Sequence, residues 1–151
     1  MSVVVRPLAL SDLADLLAVQ LACYGEGFVE SGEVFARRLA SRANCSLVLE
    51  QGGTVCAYLA AYRSVRGKVT PLHGDFETAA EPDTLYLHDM AVLPAHAGQG
   101  LAHALLQPLW TQARAEGLRH SAPSSSRASE QFTGLARRRA KTSVLSMNPS
   151  P

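Results

Sequence analysis

Two short stretches of the sequence carry residue types that could perform chemistry. His88 and Asp89 lie side by side within the run Leu85 to Val92, whose branched and aromatic content is typical of a strand. An unperturbed histidine has a pKa of about 6.5 and can accept a proton near neutral pH, and a carboxylate is an alternative base. Alternation along a strand predicts that the two side chains point to opposite faces, with His88 on the face of Met90.

The second stretch is a glycine loop that follows this strand. Gly98 and Gly100 flank Gln99, and from Leu101 onward apolar residues return at helical spacing. Such a loop exposes backbone N–H groups at the positive end of a helix, which favours an anion such as phosphate. A tight turn before a helix is the alternative interpretation. The loop matches neither a metal-nucleotide P-loop nor the three-glycine dinucleotide fingerprint.

In order and length, the strand, spacer, loop and helix resemble the acetyl-CoA-binding core of the GNAT N-acetyltransferases. The loop of that family has Gln or Arg, then two residues, Gly, one residue, and Gly or Ala. In this sequence Gly100 and Ala102 fit the pattern, and Ala97 stands where Gln or Arg is expected. The resemblance covers residues 3 to about 117. The residues that carry it are Met90-Ala-Val-Leu-Pro94, Ala97-Gly-Gln-Gly-Leu-Ala102 and Leu105-Leu106.

The resemblance implies an α/β fold, in which a mixed sheet is flanked by helices and binds acetyl-CoA as cosubstrate. The strand would hold the pantetheine arm through its backbone, and the glycine loop would surround the pyrophosphate. No metal is implied, because the thioester is already activated. The cofactor-binding residues that the resemblance implies are Met90, Ala91, Val92, Gly98, Gln99, Gly100, Leu101, Ala102 and His103.

The implied reaction is direct attack of an amine on the thioester carbonyl in a ternary complex. The amine arrives as ammonium, so a general base is useful. The run Tyr86 to Val92 is similar to the arylalkylamine acetyltransferases of this family, which carry a catalytic histidine at the position of His88. His88 is therefore the first candidate base, and Asp89 is the second. A hydrogen-bonded structural histidine is the alternative role for His88, and a cap or salt bridge is the alternative for Asp89.

The acceptor that the resemblance favours is a primary amine of a small molecule. The alternatives are a protein amino group, or a catalytically impaired remnant that only binds CoA. The segment from Val65 to Thr84 is polar and long, and it is either part of the acceptor site or a surface excursion.

Composition sets limits on partners and compartment. With 151 residues, a hydrophobic share of 47% and a net charge of +1, the chain fits one domain and gives no indication of a nucleic-acid partner. It contains no run of 18 apolar residues, so we expect no membrane span. Its three cysteines lack metal-like spacing, which predicts reduced thiols and a cytoplasmic location.

The remaining pattern predicts the elements that position these residues. Pro108 lies inside the helix after the glycine loop, and we expect a kink or early break there. Arg37, Arg38 and Arg42 are expected on the solvated face of a helix. The predicted elements are a strand at Val3 to Val5, helices from Ser11 to Gly25 and from Glu33 to Arg42, and a hairpin of Ser46 to Glu50 with Thr54 to Arg63.

The last part of the chain departs from the family. We expect residues 1–120 to form the acetyl-CoA-binding domain and 121–151 to be an atypical Ser/Arg-rich segment, disordered or derived from a frameshift. No strand is expected from Ser121 to Arg127, which would expose the edge of Leu85 to Val92 and allow a homodimer. A short helix could form from Ser129 to Lys141. Thr133 stands where many family members have a tyrosine general acid.

Overall fold

The computed structural model describes residues 2–26 and 29–123. Its strands and helices follow the predicted order, with most boundaries within three residues of the predicted ones. In chain order they are β1 (Val3–Pro7), α1 (Leu13–Tyr24), α2 (Gly32–Leu39), β2 (Leu47–Gln51), β3 (Thr54–Ser64), β4 (Thr84–Val92), α3 (Leu101–Ala115) and β5 (His120–Pro123).

One five-stranded sheet runs through the molecule in the order β1-β2-β3-β4-β5. The first four strands pair antiparallel, and β4 pairs parallel with β5, so the sheet is mixed. An apolar cluster on one face includes the buried side of α3, and a second cluster on the other face includes α1 and α2. The predicted fold class, a mixed sheet flanked by helices, is confirmed.

Helix α3 continues through Pro108 to Ala115, so the expected early break is wrong. The missing hydrogen bond and ring clash of a mid-helix proline cost about 3 kcal/mol. Buried side chains on both sides of Pro108 offset that cost, since each contributes about 1.5–3 kcal/mol. Pro108 itself is exposed. The side chains that α3 buries are Leu101, Leu105, Leu106, Leu109, Trp110 and Ala113.

The strand β5 corrects the expectation that pairing stops after residue 120. His120 to Pro123 pair with Thr84 to Leu87, so that half of β4 is not an exposed edge. Backbone hydrogen bonding does not need apolar side chains, which explains why the polar sequence gave no strand signal. The predicted helix at Ser129 to Lys141, Thr133 and the rest of the segment lie outside the described residues. Among the residues that the structure describes, no helix is both long and apolar enough to cross a membrane.

Candidate active site

A β-bulge places His88 and Asp89 on the same face of the sheet. In the ladder between β3 and β4, Ala60 pairs with Asp89 and Ala61 pairs with Leu87, so His88 is an extra residue on β4. A bulge of this kind interrupts the alternation of side chains along a strand. Both side chains therefore contact the α1/α2 side, whereas Met90 packs into the opposite cluster. The predicted opposite orientation is wrong for this reason.

His88 is fully buried against an ion pair. Its Nε2 lies 3.3 Å from Oε1 and 3.5 Å from Oε2 of Glu30. Arg38 grips the same carboxylate with both terminal nitrogens, at 2.9 and 2.6 Å. The ring of Phe76 meets the imidazole edge to face, with 5.6 Å between ring centroids. His88, Glu30 and Arg38 are each at most 1% exposed, so the predicted solvated position of Arg38 is wrong.

Three further contacts hold Glu30 in place. Gln20 of α1 exchanges two hydrogen bonds of 2.9 Å with the backbone N–H and carbonyl of Glu30. The backbone N–H of His73 donates to Glu30 Oε2 at 2.7 Å. Burial opposes ionisation of Glu30, but the hydrogen bonds and charges of His88 and Arg38 outweigh it. They hold the pKa of this carboxyl well below its ordinary value.

Asp89 has different partners from its neighbour. The hydroxyl of Tyr24 lies 2.9 Å from Asp89 Oδ1 and 2.7 Å from the carbonyl oxygen of Met90. The hydroxyl of Tyr58 donates to Asp89 Oδ2. Asp89 is fully buried, and tyrosine hydroxyls satisfy both of its oxygens. At the bulge, therefore, His88 contacts a buried ion pair, and the neighbouring Asp89 carboxylate bonds two tyrosine hydroxyls.

The glycine loop has the backbone geometry of an open anion site. Gly98 and Gly100 have φ angles of +81° and +75°, a left-handed conformation that favours glycine. Gly100 begins α3 without a side-chain cap, and a Cβ atom at Gly98 or Gly100 would meet no atom within 4 Å. Gln51 anchors the loop to the hairpin through bonds to His96 at 2.8 Å and to Gln99 at 3.4 Å.

The other predicted cofactor residues surround this loop. Met90 and Ala91 are buried, while Val92 is half-buried at the end of β4. Leu101, the first residue of α3, is buried, and Ala102 and His103 in the same turn are half-buried. The described pairs between β4 and β5 run from Thr84 with His120 to Leu87 with Pro123, which is the last described residue of the chain. The predicted set therefore lies along the end of β4 and the start of α3.

A polar cavity of about 250 Å³ lies beside the segment between β3 and β4. Phe76 stacks on Tyr62 of its wall, with 4.4 Å between ring centroids, and also contacts His88. The hydroxyl of Ser64 is buried there without a hydrogen-bond partner among the described residues. The lining residues are Tyr62, Ser64, Lys68, Val69, Thr70, Pro71, Gly74, Asp75 and Glu77.

A comparison with protein-family models assigns most of this chain to a known family. The acetyltransferase (GNAT) family matches residues 13–132, which is most of the chain. This chain belongs to the GNAT acetyltransferase family. The prediction of family and of an acetyl-CoA-dependent N-acetyltransferase is confirmed, whereas nearness to the arylalkylamine enzymes stays a prediction. The search of curated proteins finds no match.

Solved structures similar to this acetyltransferase share its fold. The ribosomal-protein-S18-alanine N-acetyltransferase from Escherichia coli has 20% identity and a TM-score of 0.65, over 89% of this chain and 76% of that one. The aminoglycoside 6'-N-acetyltransferase AAC(6')-Ih from Acinetobacter baumannii has 17% identity and a TM-score of 0.66, over 91% of this chain and 88% of that one. A GNAT family acetyltransferase from Brucella melitensis, in complex with acetyl-CoA, has 25% identity and a TM-score of 0.63, over 91% of this chain and 80% of that one.

The sequence prediction missed several residues of this acetyltransferase that contact the bulge. From the sequence, Tyr24 was expected only to end a helix, and Tyr58 only to be part of a strand. Glu30 lay in a predicted loop, and Arg38 was expected at the surface. The sequence signal that could have identified one of them is position. Arg38 lies four residues after Val34 and three after Phe35, on the apolar face of α2, where an arginine needs a buried partner.

Proposed function

We propose that this acetyltransferase transfers the acetyl group of acetyl-CoA to a primary amine of a small molecule, by direct attack in a ternary complex. The observation that carries the proposal is the junction of β4 and α3. There a bulge with His88 and Asp89 is followed, on one continuous segment, by an open glycine loop at a helix start. This puts a candidate base and a candidate phosphate site on the same strand–loop–helix unit.

The cofactor would bind along this unit. The pantetheine arm would pair with the backbone of Met90, Ala91 and Val92, at the end of β4 that leads into the glycine loop. The pyrophosphate takes the N–H groups of Gly98 to His103, whose first three residues are exposed to solvent. The positive end of α3 stabilises its charge without a metal. Among the described residues, no three histidine, cysteine or acidic side chains group in a way that could hold one.

The chemical step needs two proton movements. His88 accepts one proton from the bound ammonium, which frees the nitrogen lone pair to attack the thioester carbon. The C–N bond forms, the C–S bond breaks, and the CoA thiolate takes up the second proton that the nitrogen loses. Because His88 is 1% exposed, the first transfer runs through a water molecule or follows a displacement of Phe76. Asp89, held by Tyr24 and Tyr58, is the second candidate base.

The acceptor would use the cavity whose wall includes Tyr62, the residue that Phe76 stacks on. A volume of about 250 Å³ lies slightly below the roughly 300–1,000 Å³ of typical ligand pockets, which fits an acceptor of small size. Asp75 and Glu77 line it, each in an ion pair with Arg37 or Lys68, and offer acceptors for cationic nitrogen. Phe76 contacts both Tyr62 of the cavity wall and His88, so the reacting amine would have to pass this ring to reach His88.

The test is an acetyl-transfer assay that measures release of the free CoA thiol. A panel of small primary amines is compared with an alanine-terminated peptide, because the similar structures include a ribosomal-protein-alanine N-acetyltransferase. We expect turnover with members of the amine panel. Turnover with the peptide alone would favour a protein acceptor, and CoA binding without turnover on any acceptor would favour the catalytically impaired remnant.

The role of His88 is tested in the same assay. His88→Ala is expected to lower turnover by roughly 100-fold, the lower end of the range for a general base, while CoA affinity measured by calorimetry stays the same. The acidic limb of the pH–rate profile should also disappear. If the variant keeps wild-type turnover across pH, His88 is a structural residue and Asp89→Asn becomes the variant to test.

A further inference from the structure

We propose that Gln51 is a positioning residue that holds the glycine loop in the shape that takes the pyrophosphate of CoA. This inference rests on the proposed function in assigning the loop to the pyrophosphate. It adds to the site a residue of the β2–β3 hairpin, which lies 45 positions before His96 along the chain. The family resemblance draws only on β4, the loop and α3, so it gives no role to this hairpin.

The loop itself supplies few side chains that could fix its shape. Gly98 and Gly100 have none, and Ala97, which stands where the family has Gln or Arg, has only a methyl group. Residues 97–100 are all exposed. Glycine loses more conformational freedom than any other residue when it is ordered, so a loop of this composition is costly to hold in one conformation. Contacts from outside the loop are therefore needed to keep it open for a ligand.

Gln51 supplies two such contacts, one on each side of Ala97 and Gly98. Its side-chain oxygen Oε1 lies 2.8 Å from Nδ1 of His96, and because an amide oxygen only accepts, the ring nitrogen donates. Its Nε2 donates to Oε1 of Gln99 at 3.4 Å, a long distance that makes this bond the weaker of the two. One amide thus connects the residue before Ala97 to the residue between the two glycines.

The sheet fixes the position from which Gln51 reaches the loop. Gln51 is the last residue of β2 and is paired on both sides, with β1 and with β3. The two glycines that follow it have positive φ angles, as in a tight hairpin turn. The backbone N–H of Leu93, just after β4, donates to the carbonyl of Cys56 on β3 at 2.8 Å. The hairpin and the start of the loop are therefore joined to the same framework, and Gln51 adds a second connection further along the loop.

The expected size of the effect follows from the strength of these bonds. A loop that already has its bound shape binds its ligand more tightly, because less conformational freedom is lost on binding. An ordinary hydrogen bond changes an equilibrium constant by roughly 2- to 10-fold in net terms. Loss of the bond to His96, together with the weaker bond to Gln99, should therefore weaken CoA binding by roughly 3- to 20-fold.

The first experiment is an NMR titration of the full-length protein with CoA and, separately, with inorganic pyrophosphate, followed at the backbone amides of Gly98 and Gly100. Gln51→Leu keeps a side chain of similar size that can neither donate nor accept. Thr54→Ala is the matched control, because Thr54 pairs with Gln51 across the hairpin and is exposed. We expect Gln51→Leu to raise the dissociation constant of both ligands roughly 3- to 20-fold. Thr54→Ala should match the wild type.

The second experiment is a double-mutant cycle that tests whether Gln51 acts through His96. His96→Phe keeps a ring at this position and removes the nitrogen that bonds Gln51. In the His96→Phe background, Gln51→Leu should weaken CoA binding further by no more than about 2-fold, because the main bond is already absent. Two effects that simply multiply would show that the residues act independently and would overturn the proposal.

Kinetics and thermal unfolding separate a positioning role from general damage to the fold. Gln51→Leu should raise the KM for acetyl-CoA, leave kcat unchanged and keep the wild-type unfolding temperature. Wild-type affinity for both ligands in Gln51→Leu overturns the proposal, and so does a loss of affinity that is matched by a loss of thermal stability. If pyrophosphate binding depends on Gln51 but no acceptor is acetylated, the proposed function fails and the positioning role stands. A wild-type protein that binds neither ligand overturns both.

Discussion

At the scale of single residues, Gly100 is required to be glycine for two separate reasons, the backbone conformation and the proposed pyrophosphate site. Its φ of +75° penalises any side chain, although a Cβ atom there would meet no protein atom within 4 Å. We expect Gly100→Val to cost about 1–3 kcal/mol of stability and to abolish CoA binding, because the new side chain would occupy the proposed pyrophosphate site. The measurements are thermal unfolding and calorimetric titration with CoA.

Gly117 offers the matched control at the other end of α3. Its φ is +86°, and a Cβ atom there would also meet nothing within 4 Å. Gly117→Val should therefore lose a similar amount of stability and keep the wild-type CoA affinity. If both variants bind CoA as the wild type does, the glycine loop is only a tight turn.

A second prediction for a single residue concerns Cys45. Burial raises the pKa of its thiol from 9.0 to about 12. A thiol whose folded pKa lies above its unfolded value stabilises the fold fully below pH 9 and loses that contribution as the pH rises toward 12. We expect the free energy of unfolding to fall between pH 9 and pH 12, and to fall less in Cys45→Ala. Urea titrations in reducing buffer measure this, and equal pH slopes for the two proteins would contradict it.

The same scale shows what the sequence could and could not predict about the site. The loop at Gly98 and Gly100 was predictable, because its positive φ angles favour glycine and glycine is recognised directly in the sequence. The Glu30–Arg38–His88 contacts were not, because they join positions 8 and 58 residues apart along the chain. Charge pairing across such separations leaves no local pattern, so an arginine on a helix is first read as solvated.

At the scale of elements, α3 combines a strong apolar face with an exposed proline. Pro108→Ala should restore the hydrogen bond to the Ala104 carbonyl and remove the ring clash. We expect the free energy of unfolding to rise by about 1–3 kcal/mol, since the buried face is unchanged and the unfolded chain gains only a little freedom. Gln107→Ala, at the neighbouring exposed position, should change it by less than about 0.5 kcal/mol. A Pro108→Ala protein no more stable than the wild type would show that the helix already accommodates the ring.

The bulge in β4 is a feature that the sequence pattern did not predict. Strand β4 was predictable from its branched and aromatic residues, to within one residue at its first end. Its bulge at His88 depends on pairing with β3, and no residue type in Leu85 to Val92 demands it. Because a bulge reverses every later side chain, one unpredicted residue decided the relative orientation of His88 and Asp89.

At the scale of the whole molecule, four carboxyl groups in separate places hold a folded pKa below the ordinary value. Arg6 hydrogen-bonds Asp12, joining β1 to the turn before α1. Arg63 hydrogen-bonds Glu116, joining β3 to the end of α3, and Thr84 hydrogen-bonds Asp83. Glu30 has its pKa lowered by His88 and Arg38, and both Glu30 and Asp12 are buried. Asp12, Glu30 and Glu116 bond side chains of other segments, whereas Asp83 bonds its neighbour Thr84, so ionisation of three of the four affects the assembly of the fold rather than one site.

Acid should therefore destabilise the whole molecule along a defined limb. A carboxyl whose folded pKa is depressed contributes stability that is present above its unfolded value, 4.5 for Glu30 and Glu116 and 3.8 for Asp12 and Asp83, and is lost as the pH falls through the folded pKa. We expect the free energy of unfolding to be level between pH 7 and pH 5 and to fall progressively below about pH 4.5. Asp12→Asn should be less stable at pH 7, and its free energy of unfolding should fall less steeply with pH, because it lacks one of the carboxyl groups whose protonation destabilises the fold.

Glu33→Gln, which changes an exposed carboxylate, is the control for net charge. Urea titrations at intervals between pH 7 and pH 2 supply the slopes, and an Asp12→Asn slope equal to that of the wild type would exclude Asp12 from the acid limb.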